Sequence, residues 1–360
     1  MISAAVARDM IDALEPDPNR PMTPERFRRI TDRYAGLTIA VTGDFCLDRY
    51  LEIDPDRAEV SIETGLTVHN VTRLRAQPGG AGTIVNNLVA LGVGSILPVS
   101  FCGDDGEGYE LRRGLAALPG VNMDRFVTAP DRRTFTYCKP LLMHPGQPPE
   151  ELNRLDSKNW ATTPPALETT LIDHLKSACE IADAVIFLIQ VDEPETGVIT
   201  RRMLDEIGHL AAKYPGKPML ADSRQSLRGW PPVSYKMNAA ELAALLGRPE
   251  TMTPEQAAIF CGDLAKRNGR PVFVSMSEHG IVAADQGGTS EHVPALPLRG
   301  PIDIVGAGDS VTANLTTALA AGAHLREALE LAAAASSHVI HQLGTTGTAS
   351  VDEIEQLILS

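Results

Sequence analysis

Short apolar runs, bounded by glycine-containing or polar turns, alternate along the chain with longer stretches of helical apolar period. The runs at 37–42, 95–101, 184–190, 218–221 and 271–277 have the length of buried strands. Between them the spacing predicts helices over 83–91, 107–117, 165–179, 195–213, 239–246 and 254–268. Alternation of this kind predicts an α/β fold, with a mostly parallel sheet covered by helices on both faces. Residues 1–36 read as an N-terminal extension holding one amphipathic helix over 24–34, with Thr23 as its cap, and 37–360 as a single domain.

Two segments break this rhythm. Over 51–77 the chain turns polar and β-branched, with Ile62, Thr64, Leu66 and Val68 at strand period. Over 134–143, Phe135, Tyr137 and Leu141 share one face. Together they predict a small sheet projecting from the domain. It has too little apolar surface to stand alone, so it should cover a ligand, pair with a second copy, or do both.

The run Asp303-Ile304-Val305-Gly306-Ala307-Gly308-Asp309-Ser310-Val311-Thr312 carries the chemistry. A helix predicted from Ser310 and stopped by Gly322 places Gly306, Ala307 and Gly308 at a helix N-terminus, where backbone N–H groups are unpaired. With little side-chain bulk, a triphosphate can approach those N–H groups and the positive end of the helix dipole. Asp309 beside this hole can accept the proton of an attacking hydroxyl. A carboxyl at a helix start is expected to have a low pKa.

Charge and cysteine usage narrow the setting. With 32 Lys+Arg against 46 Asp+Glu, a net charge of −14 argues against nucleic acid or a membrane surface as partner, so anionic ligands must be held by local sites. The five cysteines form no C-x-x-C pair and 184–189 is the longest apolar run, which points to a reduced, cytoplasmic setting. The acidic turn 103–106 reads as a helix lead-in, and His338 with His341 lacks a third metal ligand.

Pro78-Gly79-Gly80, followed by an apolar helix ending in Leu91-Gly92, and the Val305-to-Asp309 turn resemble the two signature regions of the ribokinase-like (PfkB-type) carbohydrate kinases. The resemblance runs from about residue 37 to the C-terminus. It is nearest to the kinase half of the bacterial heptose-7-phosphate kinase/adenylyltransferases, on Gly43-Asp44-Phe45-Cys46-Leu47-Asp48-Arg49-Tyr50, Arg154-Leu155-Asp156, Ser277-Glu278-His279-Gly280 and Leu343-Gly344-Thr345. No H-x-G-H nucleotidyltransferase element occurs.

The resemblance implies a three-layer sandwich with a β lid, ATP and Mg²⁺, a lid-to-lid homodimer, and in several relatives a monovalent cation such as K⁺ near the positions of Asp303 and Val305. It makes Asp309 the base and Gly306, Ala307 and Gly308 the anion hole. Asp44, Asp48, Gly79, Gly80 and Asn87 would contact the sugar; the two aspartates follow the first strand at the end where open α/β sheets bind ligands. Asn238 and Glu241 match the family's N-x-x-E and would hold Mg²⁺ through water, although the same pair also reads as a helix capping box. Asp222 and Arg224 would reach the phosphates, with Ser275, Ser277 and Gly280 on the nucleotide. Thr83 stands where the family carries Asn, and Val305 where it carries Thr.

The activity expected is ATP-dependent phosphorylation of a sugar or sugar phosphate, heptose 7-phosphate preferred. A kinase for ribose, fructose or a nucleoside, or a non-catalytic sugar-phosphate regulator, are the alternatives. A dinucleotide-dependent oxidoreductase is disfavoured because Gly306-Ala307-Gly308 lacks the third glycine of that fingerprint.

Overall fold

Thr23 caps the first helix, α1 (Pro24–Thr31), its hydroxyl accepting from the Arg26 N–H at 3.2 Å, in the computed structural model, which describes residues 22–248 and 251–359. The chain continues through β1 (Thr38–Gly43), β2 (Phe45–Ile53), β3 (Glu59–Val60), β4 (Thr67–Val68), β5 (Val71–Gly80), α2 (Ala81–Ala90), β6 (Ser95–Gly103) and α3 (Gly106–Ala116). Next come β7 (Phe126–Ala129), β8 (Thr136–Leu142), β9 (Glu150–Glu151), α4 (Pro165–Ile181), β10 (Ala184–Ile189), α5 (Arg201–Lys213) and β11 (Met219–Ser223). The last part holds β12 (Ser234–Asn238), α6 (Ala239–Leu246), α7 (Pro254–Asn268), β13 (Val272–Ser275), β14 (Ile281–Ala284), β15 (Ser290–Val293), α8 (Ala307–Ala320), α9 (Leu325–Val339) and α10 (Val351–Ile358).

Among the described residues the central sheet runs β15-β14-β13-β12-β11-β10-β1-β6-β7, and every pairing is parallel except β13–β14 and β14–β15, so β14 alone runs against the rest. Apolar cores lie on both faces: one includes Val41, Leu88, Leu315 and Leu331, the other Ala40, Leu175, Phe187 and Ile207. This is the expected three-layer α/β sandwich. All five strands read from the apolar runs are present. β12 escaped that reading because SYKMN looks polar; Lys236 sits in the sheet interior only because Asp222 on β11 neutralises it at 2.7 Å.

Several expectations change. Met22, Phe27, Ile30 and Tyr34 are buried in the main core, and Arg26 grips Glu327 with bonds of 2.6 and 2.8 Å, so the described part of the expected extension is built into the domain. Residues 1–21 lie outside the described residues. The helix expected from 195 begins at Arg201, where Thr200 caps the Met203 N–H at 3.3 Å and 192–199 form a loop. Ile62 and Thr64 are not in a strand: they lie in the turn of the β3–β4 hairpin, where Gly65 adopts φ +71° and Ser61 N–H donates to Leu66 O at 2.9 Å.

The projecting sheet is ordered β5-β2-β8-β9, with β2 antiparallel to β5 and parallel to β8. It starts earlier than expected. β2 leaves the end of β1 after the single residue Asp44, so the central sheet runs directly into the lid.

Candidate active site

A cavity of about 350 Å³ opens at the carboxyl ends of the parallel strands, under the lid. From the lid it receives Asp48, Tyr137 and Lys139; from the start of α2, Gly80 and Thr83; from the segment after β9, Arg154, Asp156 and Lys158. The strand ends add Gln190, Asp192 and Arg224, and the C-terminal region adds Val305, Gly306, Asp309 and Thr346.

Asp44 does not reach this cavity. It is 1% exposed, its Oδ2 accepting from the N–H groups of Gln190 and Val191 at 2.9 and 3.2 Å and its Oδ1 from that of Val198 at 2.8 Å. Burial pushes its carboxyl pKa up while these three N–H groups pull it down. Its place is structural: it fastens the bend between sheet and lid to the loop 190–198. Asp44→Ala leaves three buried donors without acceptors and is expected to cost roughly 3–5 kcal/mol of stability, measured by urea denaturation; an unchanged midpoint would contradict this role.

Asn87 is likewise withdrawn. It is fully buried in α2 and donates to Thr83 O at 2.9 Å, while its Oδ1 has no partner. Gly79 and Gly80 sit at the entry to α2. A Cβ on Gly80, whose φ is +57°, would stand 2.6 Å from Asp44 O, and one on Gly79 would stand 2.4 Å from the Asp48 carboxylate. Both glycines therefore make room for the aspartates.

Gly306, in the left-handed region at φ +85°, precedes α8 as its N-cap and gives it no side-chain cap. Val305 N–H is taken by Asp303 Oδ1 at 3.0 Å and Ala307 N–H by Ile304 O at 3.2 Å. The Ala307 amide is thus engaged internally, contrary to expectation, and the N–H groups left without partners among the described residues are those of Gly306, Gly308 and Asp309. A Cβ on Gly308 would stand 3.0 Å from Lys236 Nζ, so this glycine lets a buried ammonium lie against the turn. Asp303 Oδ2 also accepts from Gly344 N–H at 3.1 Å, tying the turn to the loop that carries Thr346.

Asp309 differs from expectation in its proton affinity. Burial, with the Asp222 charge adding to it, pushes its pKa up to about 7, against the opposing fields of Lys236 and Arg224. Desolvation outweighs the helix dipole here. Asp222 lies beneath the turn and not on the cavity wall: its Oδ2 accepts from Lys236 Nζ at 2.7 Å and from Thr312 Oγ1 at 3.0 Å. Arg224, two residues on, does face the cavity.

Asn238 and Glu241 form the reciprocal capping box of α6. Asn238 Oδ1 accepts from Glu241 N–H at 2.8 Å and Glu241 Oε2 from Asn238 N–H at 2.7 Å. Burial raises the Glu241 pKa, and Asp222, Lys236 and Arg224 are among its charged neighbours. Ser275 pairs in register with Asn238 on the adjacent strand, followed by Ser277 at φ +51° and Gly280 at φ +87°. These residues lie beside the 350 Å³ cavity and not on its wall, in the direction of the sheet edge.

Sequence reasoning missed Lys139, Lys158, Gln190, Asp192 and Thr346 as wall residues. For Lys139 a signal existed: it alternates with Tyr137 at strand period, so it shares the Tyr137 face of the lid. The others reach the wall from loops that only the tertiary fold brings together.

An open sheet with its crevice at the carboxyl ends, a β lid above it and a glycine turn ending in Asp309 place the molecule in the ribokinase-like class of phosphotransferases. The chain belongs to the pfkB family of carbohydrate kinases, whose profile matches residues 157–352. It is 32% identical over 332 residues to the bifunctional protein HldE of Hyphomonas neptunium, covering 92% of this chain and 65% of that protein. To HldE of Azorhizobium caulinodans it is 30% identical, covering 85% and 61%. The chain thus spans less than two thirds of the length of these curated relatives.

Among solved structures, Escherichia coli phosphofructokinase-2 in complex with potassium superposes with a TM-score of 0.67 at 21% identity, over 90% of this chain and 98% of that one. Arabidopsis thaliana ribokinase complexed with ribose and ATP does so with 0.64 at 19%, over 89% and 98%. These two likenesses concern the fold. No described helix is long and apolar enough to cross a membrane.

Proposed function

We propose that this chain transfers the γ-phosphoryl group of Mg-ATP to a hydroxyl of a phosphorylated sugar of the heptose 7-phosphate type. The observation that carries this reading is a single cavity holding Asp48, Gly306 and Asp309, with the free N–H groups of Gly306, Gly308 and Asp309 at the start of α8. Asp48 accepts a hydrogen bond from a sugar hydroxyl and so orients the ring toward Asp309. Asp309 takes the proton of the attacking hydroxyl, while the free N–H groups hold the oxygens of the phosphoryl group in flight. Arg224 pairs with the nucleotide phosphates, and the Lys236–Asp222–Thr312 chain braces the turn from below. The likeness to HldE supports the heptose class of acceptor.

Glu241 Oε1 has no partner among the described residues, and with Asn238 it offers hard oxygen donors beside the phosphate side of the cavity. That donor set fits a hydrated Mg²⁺ held mainly by phosphates and water. Mg²⁺, when bound, neutralises charge on the transferring phosphates. Glu241→Gln keeps an oxygen for the capping box but loses the charge. It is expected to raise the Mg²⁺ concentration for half-maximal rate several-fold, with a shift in melting temperature of at most a few degrees; a lower melting temperature with unchanged Mg²⁺ dependence would leave only the capping role.

The test of the function is ADP formation from ATP and Mg²⁺ with a panel of free sugars, hexose phosphates and heptose 7-phosphates. The highest kcat/KM is expected for a heptose 7-phosphate. A free sugar or nucleoside preferred over every sugar phosphate would overturn the assignment.

A further inference from the structure

The cavity is lined by four cations in a protein of net charge −14, and two of them are already neutralised. Arg154 is held by Asp156 at 2.7 Å, and Lys158 by Asp192 at 2.7 Å. Arg224 and Lys139 make no ion pair with a described residue. Arg224 belongs to the floor, among the charges acting on Asp309 and Glu241. Lys139 belongs to the lid, so the two unneutralised charges stand on different walls.

The register of the lid sheet says where Lys139 stands. Asp48 on β2 is opposite Gln77 on β5 and Tyr137 on β8, and Tyr50 is opposite Arg75 and Lys139. Directly opposed residues share a face, so the lid presents two successive rows, Gln77–Asp48–Tyr137 and then Arg75–Tyr50–Lys139. In the second row the Tyr50 ring carries Arg75 at 4.6 Å and Lys139 at 5.4 Å. Glu52 neutralises Arg75 at 2.6 Å, which leaves Lys139 as the row's unspent charge. Its position near Asp48 is also seen in the field it exerts there, the largest of the charges acting on that carboxyl.

Rows two residues apart along a strand are separated by about 7 Å. A sugar oriented by Asp48 therefore meets Lys139 only with a substituent several atoms from the hydroxyls that Asp48 holds. A strongly hydrated lysine ammonium beside the buried ring of Tyr50 is suited to a compact anion.

We propose that Lys139 anchors a phosphate already carried by the acceptor, at the end of the sugar remote from the hydroxyl that is phosphorylated. This rests on the reading of the acceptor as a sugar phosphate and adds which residue recognises the phosphate and at which end of the sugar it lies. Tyr50 holds the ammonium toward the cavity, and the net negative charge of the protein makes this one site the specificity element.

The experiment compares kcat/KM for a heptose 7-phosphate with that for the same heptose lacking its phosphate, in the full chain and in its Lys139→Met and Lys139→Arg variants. The preference for the phosphorylated sugar is expected to fall about 10- to 100-fold in Lys139→Met, with most of the loss in KM, and to stay within a few-fold of the original in Lys139→Arg. A preference unchanged in Lys139→Met, or lost equally in both variants, would overturn the anchor while leaving the kinase reading intact. A wild-type enzyme that favours the phosphate-free heptose would instead overturn the reading of the acceptor, and the anchor with it.

Discussion

Asp309→Asn is expected to lower kcat by on the order of 10²- to 10⁴-fold, with KM for ATP changed by less than about tenfold, because the amide keeps the size of the carboxyl but cannot take a proton. Steady-state turnover of a verified sugar phosphate measures this, and turnover near wild type would remove Asp309 from the role of base. Its pH dependence follows from the same burial. With a folded-state pKa near 7, the wild-type rate should fall as the pH drops below about 7, as the base becomes protonated.

The stability consequence has the opposite direction. The folded state binds this proton more tightly than the unfolded chain, so the Asp309 contribution favours folding at low pH and weakens as pH rises from the ordinary carboxyl range to about 7. Asp309→Asn should therefore melt higher than wild type at pH 8, with the difference shrinking toward pH 5. A variant less stable than wild type at pH 8 would mean that the carboxylate's contacts outweigh its desolvation.

The second large effect is expected at the lid. Leu66 and Val68 on the β3–β4 hairpin are 69% and 37% exposed, and Ile62 at its turn is fully exposed. A further hollow lined by Leu51, Ile53, Val71 and Leu155 lies on the lid itself. Among the described strands β5 is an edge of the lid sheet, with one side of its backbone open to pairing. These features support a homodimer joined lid to lid. The double variant Leu66→Lys, Val68→Lys is expected to be a folded monomer that binds sugar at least tenfold more weakly, since the partner no longer steadies the lid over Asp48.

Light scattering and sugar titration read these two outcomes separately. A wild-type monomer at micromolar concentration would refute the dimer, and unchanged sugar affinity in the double variant would refute its coupling to the site. The lid has its own ties to the body: Arg49 reaches Glu107 and Glu110 at 3.3 and 3.1 Å, and Gln77 Nε2 donates to Thr346 Oγ1 at 2.8 Å. The double variant should for this reason keep the wild-type melting temperature within a few degrees.

The amino-acid sequence alone determined the alternation of β1, β6, β10, β11 and β13 with their helices, because buried parallel strands are continuous apolar runs and the helices between them keep a 3.6-residue period. It also determined the turn before α8, since Gly306 needs φ +85° and Gly308 needs space beside Lys236. Turn and helix signals are local, so they survive in one dimension.

What only the tertiary structure decided is where each carboxylate ends up. Asp44 and Asp48 look equivalent four residues apart, yet one is consumed by three amides of the loop 190–198 and the other faces the cavity. That loop lies about 150 positions away in the chain, and its N–H groups leave no mark on the residue they bind. The same holds for β12, whose buried Lys236 is readable only once Asp222 is known to lie beside it, and for Asp309, whose proton affinity is set by burial and not by its place at a helix start. Hydrogen-bond partners and desolvation arise from contacts between distant segments, and periodicity carries no record of them.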